Sequence, residues 1–152
     1  MSITEPMTET KYKLLNKNSG RDTFITSMEV ANFLYDHLDN YGDEVEDIQK
    51  AIDYVFDNNG GFVLIQFVED KISGVVVVNE TGMSGYIPEN ILVYIAVNRK
   101  FRGQGLGKSL MEAALKACVG DIALHVEKDN PARFLYEKIG FTNPYLEMRL
   151  KR

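Results

Sequence analysis

The sequence predicts a single α/β domain in which a mixed β-sheet is flanked by helices. Apolar strand-like runs are grouped in the middle of the chain, helical patterns lie on either side of them, and a later helix serves as a crossover between strands. The 152 residues suit one domain. Residues 11–152 form its predicted folded part, and the polar residues 1–10 are expected to be a flexible N-terminus.

The first half of the chain predicts one strand and two helices. Residues 11–15 form the candidate first strand. Thr26 and Glu29 have the spacing of a capping box and precede apolar residues at helical spacing, which predicts the first helix. A second amphipathic helix is predicted from about Asp43 to the Asn-Asn-Gly-Gly stretch at 58–61, whose residue types are typical of a helix end.

The second half predicts the remaining strands and the crossover helix. Two apolar strands separated by Glu-Asp-Lys form a predicted hairpin, and a further strand leads into a glycine-rich turn and a helix. A short strand, a short helix and closing strands complete the domain. The predicted ranges are strands over 62–68, 72–78, 91–97 and 122–126, helices over 105–119 and 131–138, and closing strands around Phe141 and over 146–150.

Charge, hydropathy and cysteine content exclude several classes of protein. A net charge of −5 argues against nucleic acid as the main partner. Because no apolar stretch is long enough to span a membrane and residues 1–10 lack a signal-peptide core, we expect a cytoplasmic protein without a membrane partner. The single cysteine, Cys118, excludes an internal disulfide, and its apolar neighbours predict a core position. No His/Cys cluster has metal-ligand spacing, so no metal is expected.

The most informative segment is residues 102–108, Arg-Gly-Gln-Gly-Leu-Gly-Lys, between a predicted strand and a predicted helix. Glycines let the backbone approach a ligand closely, and the free N–H groups of a new helix favour an anion. Four cations lie within the ten residues 99–108: Arg99, Lys100, Arg102 and Lys108. The pattern therefore predicts a phosphate site, with a diphosphate as the natural guest and a tight turn without ligand as the alternative. The spacing is neither that of a P-loop nor that of a full dinucleotide fingerprint.

Two segments resemble motifs of the GCN5-related N-acetyltransferase (GNAT) family. Residues 96–107 contain a strand end, Ala-Val, followed by Arg-x-x-Gly-x-Gly, which resembles the family's acetyl-coenzyme A motif. Residues 130–141 resemble its closing Asn…Leu-Tyr-x-x-x-Gly-Phe. The resemblance covers residues 61–150 well and implies the GNAT-like acyl-CoA N-acyltransferase fold, whose sheet is mostly antiparallel.

The resemblance also implies that acetyl-coenzyme A (acetyl-CoA) is the cosubstrate. The pantetheine arm is then expected to pair like a strand with residues 95–97, and the diphosphate to lie on the amides of residues 103–108. Arg102 is expected to brace the turn or to contact a phosphate. The cofactor-binding residues that the resemblance implies are Ile95, Ala96, Val97, Arg102, Gly103, Gln104, Gly105, Leu106, Gly107, Lys108 and Asn130.

Tyr136 is the candidate proton donor, because it matches the tyrosine that has this role in the family's closing motif. The pKa of a phenol, about 10, lies close to that of a thiol, about 8.5, so a phenol can protonate a leaving thiolate with little mismatch. An aromatic side chain that only packs a short helix is the alternative.

His125 is the candidate general base, in a position where some protein N-terminal acetyltransferases of this family have a glutamate. A neutral imidazole can accept a proton from an ammonium group. Strand alternation places His125 opposite its two apolar neighbours, and a structural histidine is the alternative. Tyr94 and Glu89 are further candidates for the base, whereas His37 is expected at the surface.

The resemblance implies direct transfer of an acetyl group to an amine in a ternary complex. The family builds its acceptor site from the first two helices, here residues 22–59, and the loop over 81–90. The first region is acidic, so it could attract a cationic amine, although a solvated helix face is the alternative. A small-molecule acceptor is expected; a peptide or protein amine, and a non-catalytic CoA-binding module, are the alternatives. Edge strands and residues 146–152 are the candidate surfaces for a homodimer.

Overall fold

The computed structural model describes residues 9–57 and 60–152 and shows one sheet of five strands, which lie side by side in chain order. The mixed, mostly antiparallel α/β fold with flanking helices is confirmed. The strands are β1 (Thr10–Leu15), β2 (Gly61–Val68), β3 (Lys71–Glu80), β4 (Asn90–Val97) and β5 (Ile122–Leu124). The helices are α1 (Ser27–His37), α2 (Val45–Phe56), α3 (Leu106–Ala117) and α4 (Ala132–Ile139), with 3₁₀ turns at Asp39–Tyr41 and Arg99–Phe101.

Two segments that the sequence analysis singled out lie partly outside the residues that the structure describes. Most of the N-terminal stretch 1–10 falls there, although Thr10 already belongs to β1. The Asn-Asn pair at 58–59 also falls there, and α2 ends at Phe56.

The sheet holds its central strand between two helical layers. Val75 and Val77 of β3 pack on the side of α1 and α2, whereas Val76 and Val78 pack on the side of α3 and α4. All four side chains are fully buried, which explains why β3 is a continuous apolar run instead of an alternating one. In the described part of the chain, no helix is both long enough and apolar enough to cross a membrane.

Local sequence signals account for the first helix and the central hairpin. The Thr26 hydroxyl accepts a hydrogen bond from the Glu29 N–H at 3.1 Å, as the capping pattern predicts. The turn between β2 and β3 has Glu69 and Asp70 in the left-handed region, with φ of 53° and 61°. Two such residues match the twist of a tight antiparallel hairpin.

The relation between β4 and β5 determines where a ligand can enter. β5 runs parallel to β4 and pairs only with Asn90–Leu92, and a bulge shifts the β4 register between Leu92 and Tyr94. Beyond that bulge β4 continues along β3 alone, so its other edge is open from residue 93 to residue 97 among the residues described.

The predicted closing strands around Phe141 and over 146–150 are wrong. Residues 142–152 have no regular secondary structure, and their backbone makes no hydrogen bond to another described residue. The side chains of this segment are exposed, with Leu146 at 86% and Met148 at 90%. Alternating polarity specifies which side chains could share a face, but a strand also needs a neighbouring edge for its backbone, and the chain does not bring one to this segment.

Candidate active site

The glycine-rich turn is an open backbone surface at the start of α3. Gly103 and Gly105 have φ of 82° and 78°, a left-handed conformation that glycine adopts without steric cost. A Cβ atom placed at either position would meet no heavy atom within 4 Å. Gly105 is also the N-cap of α3 and provides no side chain, so the first N–H groups of the helix have no side-chain cap. This geometry fits phosphate oxygens.

A buried glutamine that the sequence analysis missed holds the turn from beneath. The Gln66 side chain on β2 donates from Nε2 to the Leu106 carbonyl at 3.1 Å, and its Oε1 accepts from the Ser73 hydroxyl at 2.8 Å. Gln66 is fully buried, so loss of these bonds would leave polar atoms unsatisfied in the core. The signal available in the sequence is one glutamine inside an otherwise apolar strand.

Arg102, a predicted cofactor residue, braces the turn against the end of α1. Its Nη1 donates to Asp39 Oδ2 at 2.9 Å and its Nη2 to the His37 carbonyl at 2.6 Å. Its Nε donates to the Val97 carbonyl at 3.1 Å. These three contacts hold the guanidinium between the end of α1 and the end of β4, which favours the bracing role over the phosphate contact.

Arg99 makes a parallel connection to the same aspartate. Its Nε donates to Asp39 Oδ1 at 3.0 Å. Hydrogen bonds from Arg102 and from Arg99 hold the pKa of the Asp39 carboxyl below its usual value. Asp39 has φ of 56°, so its backbone is in a conformation that residues with a side chain rarely adopt. Of the four predicted cations, Lys100 and Lys108 are the two that remain exposed without an aspartate partner.

His37 also belongs to this junction, a role that the expectation of a surface histidine did not include. The side chain is half-buried, and its Nδ1 accepts the Arg99 backbone N–H at 3.2 Å. Burial, together with the charges of Arg99 and Arg102, lowers the pKa of His37. The ring is therefore held in its neutral form with Nδ1 unprotonated.

The open edge of β4 lies just before the turn. Ile95, Ala96 and Val97 pair with β3 on one side and with no strand of the described residues on the other, where the Val97 carbonyl accepts the Arg102 Nε. Their outward N–H and C=O groups can hydrogen-bond to an extended chain, as in the addition of a strand to a sheet edge. The turn then follows after the 3₁₀ turn Arg99–Phe101.

An acidic groove of about 810 Å³ lies where α1, the 3₁₀ turn Asp39–Tyr41 and the start of α2 meet. It carries five carboxylates and one guanidinium. The residues that line it are Tyr35, Asp36, His37, Asp39, Gly42, Asp43, Glu44, Asp47 and Arg99. Such a lining attracts cationic groups and repels polyanions.

A tyrosine of β4 connects this groove to the sheet. The Tyr94 hydroxyl donates to Asp43 Oδ2 at 2.5 Å. Burial and this bond raise the pKa of Tyr94 far above its usual value, so it stays protonated and is disfavoured as a base. Glu89, another candidate base, accepts the Asp121 N–H at 2.7 Å, and this bond lowers its pKa. Asp43 is a site residue that no motif indicated.

Tyr136, the candidate proton donor, lies on α4 with 8% exposure. Burial raises the pKa of its phenol, which keeps the group protonated at neutral pH. Its ring contacts Phe141 edge-on at a centroid distance of 6.0 Å, and the Phe141 N–H donates to the Tyr136 carbonyl at 3.0 Å. Both a donor role and a packing role are compatible with this position.

Two further predicted site residues, His125 and Asn130, lie in the segment between β5 and α4. His125 is exposed, whereas Leu124 and Val126 pack against the core, as strand alternation predicts. The predicted strand over 122–126 ends early, because β5 stops at Leu124. Asn130 is half-buried, and its Oδ1 accepts the Ala132 N–H at 2.9 Å, which stabilises the start of α4. Its remaining amide N–H groups are the part that could contact a ligand.

Cys118 and the acidic side chains offer no separate chemistry. Burial raises the pKa of the Cys118 thiol to about 11, so the thiol is protonated and is a poor nucleophile at neutral pH. Across residues 9–57 and 60–152, no three His, Cys, Asp or Glu side chains are grouped so that they could hold a metal ion.

Comparison with known proteins supports the resemblance to the GNAT motifs. The model of the acetyltransferase (GNAT) family matches residues 23–141, which is most of the chain. The 5-NmdU N-acetyltransferase of Pseudomonas phage PaMx11 is 33% identical over 86 residues, or 55% of this chain. The matched segment spans 59% of that relative's length.

Solved structures share the fold over nearly the whole chain. An aminoglycoside N-acetyltransferase, AAC(6')-Iy, in complex with CoA has a TM-score of 0.69 at 13% identity and covers 99% of both chains. A possible acetyltransferase from Clostridium difficile 630 has a TM-score of 0.67 at 18% identity, with 94% and 97% of the two chains covered. The ribosomal-protein-alanine N-acetyltransferase from Brucella melitensis biovar Abortus 2308 has a TM-score of 0.62 at 17% identity, with 95% and 100% covered. At these identities the likeness establishes the fold alone.

Proposed function

Because the chain belongs to the acetyltransferase (GNAT) family, we propose that it transfers an acetyl group from acetyl-CoA directly to a cationic small-molecule amine. One observation carries the proposal. The open edge of β4 at residues 95–97 leads within a few residues into the open turn at 103–108, so two backbone surfaces follow each other along the chain. An extended amide chain that ends in a diphosphate matches that pair of surfaces.

Acetyl-CoA supplies the activated acyl group, and the protein supplies binding and orientation. The N–H groups at the start of α3 would hold the diphosphate, while Gln66 keeps this helix end fixed on the sheet. Lys100 and Lys108 add positive charge near the turn from exposed positions. Arg102 holds the turn in place through its contacts to the end of α1.

The reaction needs two proton movements as the acyl C–S bond breaks and a C–N bond forms. The amine must lose a proton, and the leaving thiolate must gain one. Tyr136, which burial keeps protonated, is the proposed donor to the thiolate. His125 is the proposed base, acting directly or through water from its exposed position after β5.

The acidic groove is the proposed acceptor site. Its five carboxylates favour an acceptor that is cationic before reaction, and its size suits a small molecule. Asp43 is the best-defined anchor for an ammonium group, because the Tyr94 hydroxyl fixes its carboxylate against β4. The same carboxylates would repel the phosphates of a nucleic acid.

Thiol release from acetyl-CoA tests the proposal. The acceptor panel contains polyamines, aminoglycosides, amino acids, short peptides and 5-NmdU, the compound in the name of the phage relative. We expect release that depends on an acceptor with at least one extra cationic amine. Release with peptides alone would replace the small-molecule acceptor by a protein one. No release across the panel, with tight acetyl-CoA binding by calorimetry, would favour the non-catalytic module.

A further inference from the structure

We propose that Asp39 is a positioning residue for acetyl-CoA, whose carboxylate holds the entrance to the glycine-rich turn through Arg99 and Arg102. The inference rests on the proposed function, because that function assigns the diphosphate to residues 103–108. It adds that a residue in the lining of the acidic groove controls the binding of the acetyl donor, which it does not itself touch.

Asp39 connects both ends of the short segment that leads into the turn. Its Oδ1 accepts from Arg99 Nε at 3.0 Å, and its Oδ2 accepts from Arg102 Nη1 at 2.9 Å. Arg99 begins the 3₁₀ turn Arg99–Phe101, and Arg102 follows that turn and precedes Gly103. Since each oxygen binds one guanidinium, a single carboxylate fixes the start and the end of this segment together.

The entrance to the turn depends on exposed side chains. The buried Gln66 fixes the start of α3 from beneath, but a Cβ atom at Gly103 or Gly105 would meet no heavy atom within 4 Å. The side chains of Arg99 and Arg102 are 54% and 39% exposed, and each also donates to a backbone carbonyl at the end of α1. Long exposed side chains lose much conformational freedom when they are fixed, so a shared ionised acceptor has a large part in keeping them ordered.

The backbone at Asp39 is an independent observation. Its φ is 56°, and the other described residues that combine a side chain with a positive φ are Glu69 and Asp70, which the β2–β3 hairpin requires in that conformation. Asp39 instead begins the 3₁₀ turn between α1 and α2. A strained conformation persists only where surrounding contacts hold it, and the carboxylate of Asp39 is held by the two arginines. The strain therefore points to the position of this carboxylate as the feature that is maintained.

Calorimetry of CoA binding to the full chain tests the proposal. Asp39→Asn keeps the shape of the side chain and removes its charge, so we expect the Kd for CoA to rise about tenfold. Asp53→Asn is the matched control, because it removes the same charge from another exposed aspartate of an ion pair, with Arg21 at 3.0 Å. This control should leave the Kd unchanged.

Two further measurements separate positioning from a general contribution to stability. Asp39→Gly relieves the backbone strain as it removes the carboxylate, so the Tm should change by no more than about 3 °C while the Kd rises as it does with Asp39→Asn. Arg102→Gln should also weaken CoA binding. Because Asp39 acts through the arginines, adding Asp39→Asn to Arg102→Gln should raise the Kd by no more than about twofold further.

The outcomes that contradict the proposal are distinct. An equal or lower Kd with Asp39→Asn would overturn it, because the arginines would then hold the turn without the carboxylate or bind the phosphates themselves. Fully additive effects of Asp39→Asn and Arg102→Gln would exclude a role through Arg102. A wild-type chain that binds no CoA would overturn the proposed function together with this inference, whereas wild-type binding that the Asp39 variants leave unchanged would overturn this inference alone.

Discussion

The two proposed ligand surfaces beside β4, the donor side and the acceptor side, present different chemical groups. On the donor side, the surface consists of backbone groups: the open edge of residues 95–97, two glycines with positive φ and the first N–H groups of α3. On the acceptor side, the surface consists of side chains, five of them carboxylates, contributed by the end of α1 and the start of α2. Backbone groups can hold a ligand that many enzymes share, whereas side chains can change with the acceptor and leave the donor site intact.

The two sides meet at Asp39. This residue lines the acidic groove, and its carboxylate takes hydrogen bonds from Arg99 and Arg102, which flank the start of the glycine turn. Its strained backbone places the carboxylate there at a cost in local stability. The proposed acceptor side is therefore linked mechanically to the proposed donor side through the two arginines.

The largest expected effect concerns Tyr136, the proposed proton donor. Tyr136→Phe removes the phenolic proton and keeps the ring, so we expect kcat to fall by about 100-fold or more while the acetyl-CoA affinity stays the same. Steady-state kinetics and calorimetry measure the two quantities. Tyr145→Phe, at an exposed tyrosine, is the matched control and should change neither. If Tyr136→Phe keeps the wild-type rate, Tyr136 is a packing residue.

A charge at the glycine turn should affect the donor side alone. Gly105→Asp places a carboxylate where phosphate oxygens are expected, and repulsion of about 2 kcal/mol would weaken acetyl-CoA binding about 30-fold. Gly105→Asn is the control, because asparagine has the same shape and a similar tolerance of the left-handed conformation. Equal binding by the two variants would show that no phosphate lies close to this residue.

A change in the acidic groove should weaken acceptor binding and leave acetyl-CoA binding unchanged. Asp43→Asn removes one negative charge from the groove, so we expect the KM for a cationic acceptor to rise about tenfold with no change in the KM for acetyl-CoA. Tyr94→Phe should produce a smaller rise, because it frees the Asp43 carboxylate without removing it. Glu46→Gln, an acid of α2 outside the groove lining, is the control. If Glu46→Gln also raises the KM for the acceptor about tenfold, the effect comes from the net charge of the protein and not from the groove.

The contrast between a backbone surface and a side-chain surface also explains which parts of the site the sequence could predict. The glycine turn lies within one short segment, and its conformation follows from local residue types, so the motif located it correctly. Gln66, Asp39 and Asp43 act through partners far along the chain, as in the contact between Tyr94 and Asp43 across 51 positions. No local pattern encodes such contacts.

The secondary structure shows the same limit. The first helix and the central hairpin were predicted because their caps and turns are local. The extent of strands was predicted wrongly twice near the C-terminus, where β5 ends before His125 and residues 146–150 find no neighbouring strand in their own chain. Whether an alternating segment becomes a strand depends on an available edge, and the pattern of side chains does not specify that edge.

The smallest expected effect concerns the junction at His37. Its pKa is lower in the folded state than in an unfolded chain, where it is about 6.5, so the unfolded state binds a proton more readily. The stability from neutral His37 is therefore present above about pH 6.5 and is lost as the pH falls through the lowered value.

His37→Asn tests this contribution, because asparagine keeps an acceptor for the Arg99 N–H but does not titrate. The drop in Tm between about pH 7.5 and about pH 5.5 should therefore shrink by roughly 1–3 °C. His125→Asn removes the other histidine and should retain the His37 contribution. An unchanged drop with His37→Asn would mean that the junction tolerates a charged imidazole.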